Sequence, residues 1–419
     1  MNWYKPYKRI SCTRFLEIID QEEDSWIWAV KRLSGNDTGL TGGHQSGIYL
    51  PQWFFESAFP EICTTETRNP KSKLSSCYFP NYDDARNEVV ATYYNSKFFP
   101  DLRLKKPYDE FRITGWGGRN CALQDVENTG SLMVIACRST GTEKQALVWV
   151  CTTVEEEALV ESWLGLEVSP SEVYGQGLYH ARAVTDTLKT QAERCVQPEW
   201  LSNFPSGADI FNEVVNVIPS STWSRSIDEL LLCRRALEFA IFEQIEKSHV
   251  LPKVTNGFTN VDDFLSLALS IANRRKARTG FSLELNLAEI FTESKLQFEM
   301  QAVTEMKKRP DFLFPSHQAY HTPSFPDSKL HMLAAKTCCK ERWRQVLSEA
   351  DRISRKHLFT LQEGVSENQL KEMEESGIIL VVPEPNKKAF PKNVRSNLKN
   401  LDNFVEFIGN QQNASSCFC

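Results

Sequence analysis

Asp311 follows a proline in RPDFLFP, and Lys336 closes the run LHMLAAK twenty-five residues later. A carboxylate can hold a divalent cation, and an amine can steady a phosphoryl oxygen or the water that attacks it. Phosphodiester hydrolysis needs both. The bare pair has a plainer reading, because Asp after Pro is common at turns and a lysine at a strand end ordinarily reaches for solvent. A hydrolytic site therefore requires a further acid.

Metal-dependent nucleases of the PD-(D/E)xK type carry that acid two residues before the lysine, where this chain has Ala334. The segment behind Lys336 offers a substitute in Glu349, thirteen residues on. TCCKERWRQVLSEADRI reads as a helix N-capped by Thr337, with Cys339, Trp343, Val346, Leu347, Ala350 and Ile353 as its buried stripe and Arg342 and Glu349 at the stripe's edge. A straight continuation would carry Glu349 roughly 20 Å away, so this helix is expected to double back across a sheet. Lys340, Glu341 and Arg342 fall in its first turn. Lys and Arg donate to guanine O6 and N7, and an acid accepts from the cytosine amino group, so the triplet suits G·C pairs read through the major groove. The plainer alternative is a solvated helix face. NRRKARTG (273–280) could add phosphate contacts.

The elements that must position these residues change character along the chain. Up to about residue 180 the pattern is mostly β, with SLMVIACRS (131–139), ALVWVCTT (146–153) and GIYLP (47–51) as strands and VEEEALVESWLG (154–165) as an acidic helix. From about 197 long helical periods take over in 226–249 and 261–278. The domains are therefore expected at 1–179 and 197–419, joined by a polar hinge at 180–196. In the second, Leu283, Leu287, Ile290 and Phe291 share a helical face, and 296–304, 310–315, 330–337, 357–364 and 377–382 read as strands or their flanks. The order implies a partly parallel sheet covered by helices, an α/β fold.

With 419 residues and a formal net charge of -6, the chain is large enough for two domains, and any nucleic-acid site must be a local basic patch. Its twelve cysteines include no CxxC, and the N-terminus lacks a secretory apolar core. Reduced thiols in a soluble cytoplasmic protein without membrane contact are expected. GLTGGHQS lacks the Lys-Ser/Thr of a nucleotide P-loop. Prolines 315 and 323 bracket His317 and His321, which argues against a helical zinc pair, and Tyr320 reads as structural.

Taken in order, KRLSGNDTGLTGGHQSGIYLP, RITGWGG, LQDVENTG, FPSG, NRRKARTG, SLEL, RPDFLFP, AYH, KTCCKERWRQ, HLFTLQEGVS and VVP resemble the EcoRII-type (type IIE) restriction endonucleases over nearly the whole chain. The resemblance implies a β-rich pseudobarrel effector domain followed by a PD-(D/E)xK catalytic domain that homodimerises and cuts double-stranded DNA at CCWGG-like sites. It implies Asp311, Lys336 and Glu349 as the catalytic set, Asp311 and Glu349 as ligands of Mg²⁺, and Glu284 as a further acid. Lys340, Glu341 and Arg342 would read the bases. In the loops 31–49 and 105–119, Arg32, Asn36, His44, Tyr49, Lys106, Glu110 and Arg112 are candidate effector-DNA contacts, with ordinary turn chemistry as the alternative. Tyr108 and Phe111 depart from the family's basic residues, which would weaken effector binding or turn it to another sequence. A cognate DNA methyltransferase would be a genetic partner. The rival readings are a non-cutting DNA-binding regulator on the same scaffold, and a repair or junction nuclease.

Overall fold

Short apolar runs between turn residues become strands, and the two long 3.6-periodic stretches become helices Ile227–Asn256 and Val261–Glu293. The structure is a computed structural model that describes residues 5–21, 26–41, 47–99, 109–140, 143–164, 168–170, 172–175, 178–180, 186–340 and 342–416.

In the first half, a seven-stranded sheet is built around the antiparallel pair Leu132–Thr140 and Glu143–Val150, with Ile27–Arg32 beside the former. A four-stranded antiparallel sheet contains Ile48–Tyr49, Asp109–Thr114, Val90–Asn95 and Lys71–Lys73 in that order. One core joins the two sheets through Phe54, Phe55, Phe59, Ile113 and Val148. The other face of the larger sheet packs on Phe15, Ile19 and Val160, from helix Cys12–Gln21 and the acidic helix Val154–Leu164. Several strands are only two or three residues long, too short for a period-2 pattern to register.

Part of the segment expected as a polar hinge is helical. Asp186–Cys195 forms a helix whose Ala192 and Cys195 are buried in a core with Leu237, Ala240 and Ile241 of the first long helix. Leu188, Ala192 and Cys195, at i, i+4 and i+7, dock an otherwise polar decapeptide.

The second half holds a five-stranded sheet in the order Glu299–Met300, Phe312–Phe314, His331–Lys336, Lys356–Thr360, Ile378–Val381. The first two junctions are antiparallel and the last two parallel. Both faces are covered, so these strands read as continuous apolar runs. Phe312, Leu333, Phe359 and Val381 point to one side, against Leu283, Leu287, Ile290 and Phe291 and against Leu401, Phe404 and Ile408 of the C-terminal helix. Met332, Ala334, Leu358 and Leu380 point to the other, against Trp343, Val346, Ala350, Ile353 and Met373. Of the expected strand 296–304 only Glu299–Met300 pairs; Gln301 takes a left-handed φ of 52° and turns the chain out of the ladder.

The helix expected behind Lys336 is a single turn, Trp343–Val346, followed by turns closed by Glu349 N–H to Val346 C=O and Ile353 N–H to Ala350 C=O. The N-cap of that turn is Arg342, not Thr337. The N–H groups of Cys339 and Lys340 both donate to the buried Gln362 side-chain oxygen at 2.9 Å, which satisfies them outside a helix, and Ala350 has φ 48°. The apolar residues of the stripe are nevertheless inside, which is all that their spacing required.

Among the described residues no helix is long and apolar enough to cross a membrane, and ten cysteines are free thiols.

Candidate active site and domain seam

Antiparallel pairing of Phe312 with Leu333 sets the start of one strand beside the end of its neighbour, and so brings Asp311 to Lys336. Asp311 Oδ2 accepts from Lys336 Nζ at 3.0 Å and from the Ala335 N–H at 2.8 Å. Gln301 donates its amide to Asp311 Oδ1 at 3.0 Å and to Glu284 Oε2 at 3.4 Å, while its N–H meets the Asp311 carbonyl. Glu284 sits on the long helix one residue after buried Leu283, so the packing that buries the leucine aims the acid at the strand ends. Burial, with Asp311 beside it, raises the Glu284 carboxyl above its usual range.

Glu349 comes within the electrostatic reach of Lys336 and Asp311 by a route other than the one expected. The turn that carries it is tied to the approach to Asp311: Lys308 donates to the Ser348 carbonyl at 2.8 Å, and Glu305 accepts from the Asp351 N–H and, at 2.6 Å, from the Tyr320 hydroxyl. That hydroxyl in turn accepts from the Arg352 N–H, so Tyr320 is structural as the sequence suggested. Burial pushes the Glu349 carboxyl up to about 7; Lys336 opposes that shift and Asp311 adds to it. Its Oε2 is enclosed, with no hydrogen-bond partner among the described residues.

No three His, Cys, Asp or Glu side chains among the described residues form a group that could by itself enclose an ion. A hard divalent cation such as Mg²⁺ needs only one or two carboxylates when waters and a phosphate complete its shell. An orphaned, buried carboxylate oxygen in the electrostatic field of a second acid fits such an ion, since leaving it unpaired is costly. His317 and His321 do lie on one short helix despite the flanking prolines, with ring centroids 4.3 Å apart. His321 Nε2 is 2.9 Å from the Val303 carbonyl.

The proposed base-reading segment lies under the N-terminal half. Lys340 is only 7 % exposed, and its ammonium donates to the Ser131 hydroxyl. Arg342 Nη2 is 3.1 Å from Glu161 Oε2, whose other oxygen accepts from Arg32 Nη2 at 2.8 Å. Arg32 also pairs with Glu157 at 2.8 Å and is 4 % exposed, so the acidic helix engages a candidate effector contact and a candidate base reader together. Gly130 has φ +84°, and a Cβ there would run into the Gln362 amide. Glu127 accepts from Ser366 and Asn368 across the same seam. Glu341 lies outside the described residues.

On the outer surface, Asn36 and Tyr49 are exposed. Their loop is organised by buried Asp37, which accepts from Lys31 at 2.7 Å and from the Tyr49 N–H. Glu110 pairs with the mostly buried Arg112 at 2.6 Å. His44, Lys106 and Tyr108 lie outside the described residues, and Phe111 is a core residue stacked on Tyr93 at 4.2 Å, which accounts for its apolar character. In 273–280, Arg275 pairs with Glu246 and Arg278 with Glu172, while Arg274 lies over the Phe204 ring. These internal contacts occupy arginines that the sequence had suggested for phosphate.

Sequence reasoning missed Gln301 and Glu161, whose importance lies in bridging groups far apart in the chain. The family described as EcoRII C terminal matches residues 242–405, and the N-terminal family of restriction endonuclease EcoRII matches 22–177. The type II restriction enzyme EcoRII of Escherichia coli is 42 % identical over 387 residues, covering 91 % of this chain and 94 % of that one. Two solved structures of metal-depleted Ecl18kI, with uncleaved DNA and with uncleaved, modified DNA, are each 18 % identical at a TM-score of 0.42, covering 54 % of this chain and 83 % of theirs.

Proposed function

The chain belongs to the EcoRII family of type II restriction enzymes, site-specific endonucleases of two domains, and from that premise we propose that it hydrolyses both strands of DNA at CCWGG-like sites with Mg²⁺. The observation that carries the catalytic assignment is the Asp311–Lys336 pair at 3.0 Å with the orphaned Glu349 oxygen in the field of both.

Asp311 and Glu349 would hold the ion, with Glu284 as a nearby third acid. When bound, the cation supplies a Lewis acid for a phosphoryl oxygen and a more acidic water. Asp311 is fixed for its part by the Ala335 N–H and the Gln301 amide, and it orients Lys336 in turn. The Lys336 ammonium keeps further N–H donors for a non-bridging oxygen as charge develops, in a half-buried site where each charge counts for more than in water.

Lys340, Glu341 and Arg342 are proposed to read the C·G ends of the site through the major groove. Both described members are engaged by the N-terminal domain, which supports the reading that this domain, a pseudobarrel bounded at 1–179, restrains the PD-(D/E)xK domain at 197–419 until a second copy of the site binds. Asn36, His44, Tyr49, Lys106, Glu110 and Arg112 are the proposed contacts to that copy, and Arg32 would have to leave Glu157 and Glu161 to join them. A homodimer through the C-terminal domain would bring one centre to each strand, and a cognate methyltransferase would protect the host's own sites. Action in the cytoplasm follows from that role.

Lys336→Ala tests the reading. Cleavage should fall by at least about 10²-fold, the scale for losing a group that stabilises transition-state charge, while specific DNA binding persists. A native chain that binds such sites and never cuts them would make it a regulator instead.

A further inference from the structure

At the end of the catalytic sheet remote from Lys336, where strands 331–336 and 356–360 begin, lies a cavity of about 610 Å³. That is the size of a small-molecule site. Leu330, Met373, Leu380 and Leu398 form part of its apolar lining; its polar lining includes His331, His357, Arg355, Lys371 and Lys399 and the carboxylates Asp327, Glu367 and Glu374.

The two histidines are anomalous. His357 is 2 % exposed, and neither of its ring nitrogens has a hydrogen-bond partner among the described residues; the Met332 carbonyl is near without forming a bond of good geometry. His331 Nε2 is likewise unpartnered. The rings lie 6.3 Å apart and pack on Phe407. A buried polar atom left unpaired costs about 1–3 kcal/mol, so three at one cavity call for an occupant.

The surrounding charge says what kind. The outside charges that bear on these imidazoles are cationic: Lys399, with Nζ 4.6 Å from the Phe407 ring centroid, acts on both, and Arg355 on His357. Burial and these cations hold both rings neutral, each with one N–H to give. A metal ion would meet two imidazoles and a repelling ammonium. An anion at the histidines would meet N–H donors, a cation and an apolar wall; of the lining carboxylates, Asp327 is paired with Arg352, and neither Glu367 nor Glu374 is among the charges that act on the two imidazoles.

We propose that this cavity binds a small organic anion, a carboxylate or a phosphate monoester with an apolar body, whose oxygens accept from His331, His357 and Lys399. The site is separate from the hydrolytic centre and does not depend on its assignment. Its place at the base of the strand that ends in Lys336 would let occupancy reach the catalytic end through one element.

Benzoate and phenyl phosphate, added separately to the full-length chain, distinguish the two sources, with benzyl alcohol as the uncharged control. The expected result is saturable binding of at least one anion at one site per chain, read by calorimetry, with the ring-proton NMR signals of His331 and His357 moving together and those of His317 and His321 still. Lys399→Met and His357→Phe should each weaken binding roughly tenfold or more, the scale of one charge-assisted or buried hydrogen bond. Lys399 is near the surface, so its variant remains informative if His357→Phe folds poorly. No binding by either anion at millimolar concentration, equal binding by benzyl alcohol, or unchanged affinity in Lys399→Met overturns the proposal.

Discussion

At the scale of single residues, the proposed chemistry rests on groups that were legible and on one that was not. Asp311 stood out because it follows a proline at the head of an apolar run, Lys336 because it closes another, and Glu349 because a second acid was needed. Gln301 gave no signal: it lies in a segment that reads as a strand, and its value comes from a left-handed turn that aims one amide at two carboxylates. Because that amide fixes Asp311, Gln301→Ala should slow cleavage about 10–100-fold, the cost of losing a residue that orients a metal ligand. Single-turnover rates across a Mg²⁺ titration would show the loss shrinking as the ion saturates. A rate unchanged at every Mg²⁺ concentration would make Gln301 a packing residue. His357 yields a prediction independent of activity. Burial, His331, Lys399 and Arg355 lower its pKa from 6.5 to about 3, so the folded chain excludes a proton that the unfolded chain takes up below about 6.5. That contribution to stability is complete above about pH 6.5 and is lost progressively as pH falls towards about 3. Urea midpoints of the native chain should therefore drop more between about pH 7.5 and about pH 5 than those of His357→Phe. Equal drops would count against a buried neutral imidazole.

At the scale of elements, periodicity located what would be buried better than what would be helical. The long helices, the acidic helix and most strands of the second sheet followed from their patterns. The segment 337–353 kept its apolar face inside but folded as turns, because Gln362 takes the N–H groups that would have opened a helix and Lys308, Glu305 and Tyr320 hold its far end. Turns in place of a straight helix keep Glu349 within the electrostatic reach of Lys336 and Asp311. The seam between the halves depends on similar local fits. Gly130 needs both its positive φ and the absence of a side chain against Gln362, so Gly130→Ala should loosen the seam that covers Lys340. Cleavage without added site-bearing oligonucleotide should rise severalfold, and stimulation by that oligonucleotide should shrink. Unchanged basal cleavage in a folded Gly130→Ala chain would mean the seam does not restrain the site.

At the scale of the whole molecule, a net charge of -6 gave no hint of DNA, and the structure shows how basic groups are held within it: Arg32 and Arg342 share Glu161, and Arg275 and Arg278 pair with glutamates. Contacts across the seam were illegible because they join residues more than a hundred positions apart, for which a single sequence carries no pattern. Glu161→Gln should weaken the hold on Arg342 and steepen the salt dependence of DNA binding, as a freed arginine adds a phosphate or base contact. An unchanged slope would place Arg342 away from DNA. The most direct measurement of all is to map, at nucleotide resolution, the ends made on a plasmid of known sequence by the native chain and by Lys336→Ala. The native chain should produce ends only ahead of the first cytosine of CCWGG-like sites, and Lys336→Ala should produce none while still binding those fragments. Ends scattered without regard to sequence, or the same ends from Lys336→Ala, would contradict a site-specific nuclease built on Asp311, Lys336 and Glu349.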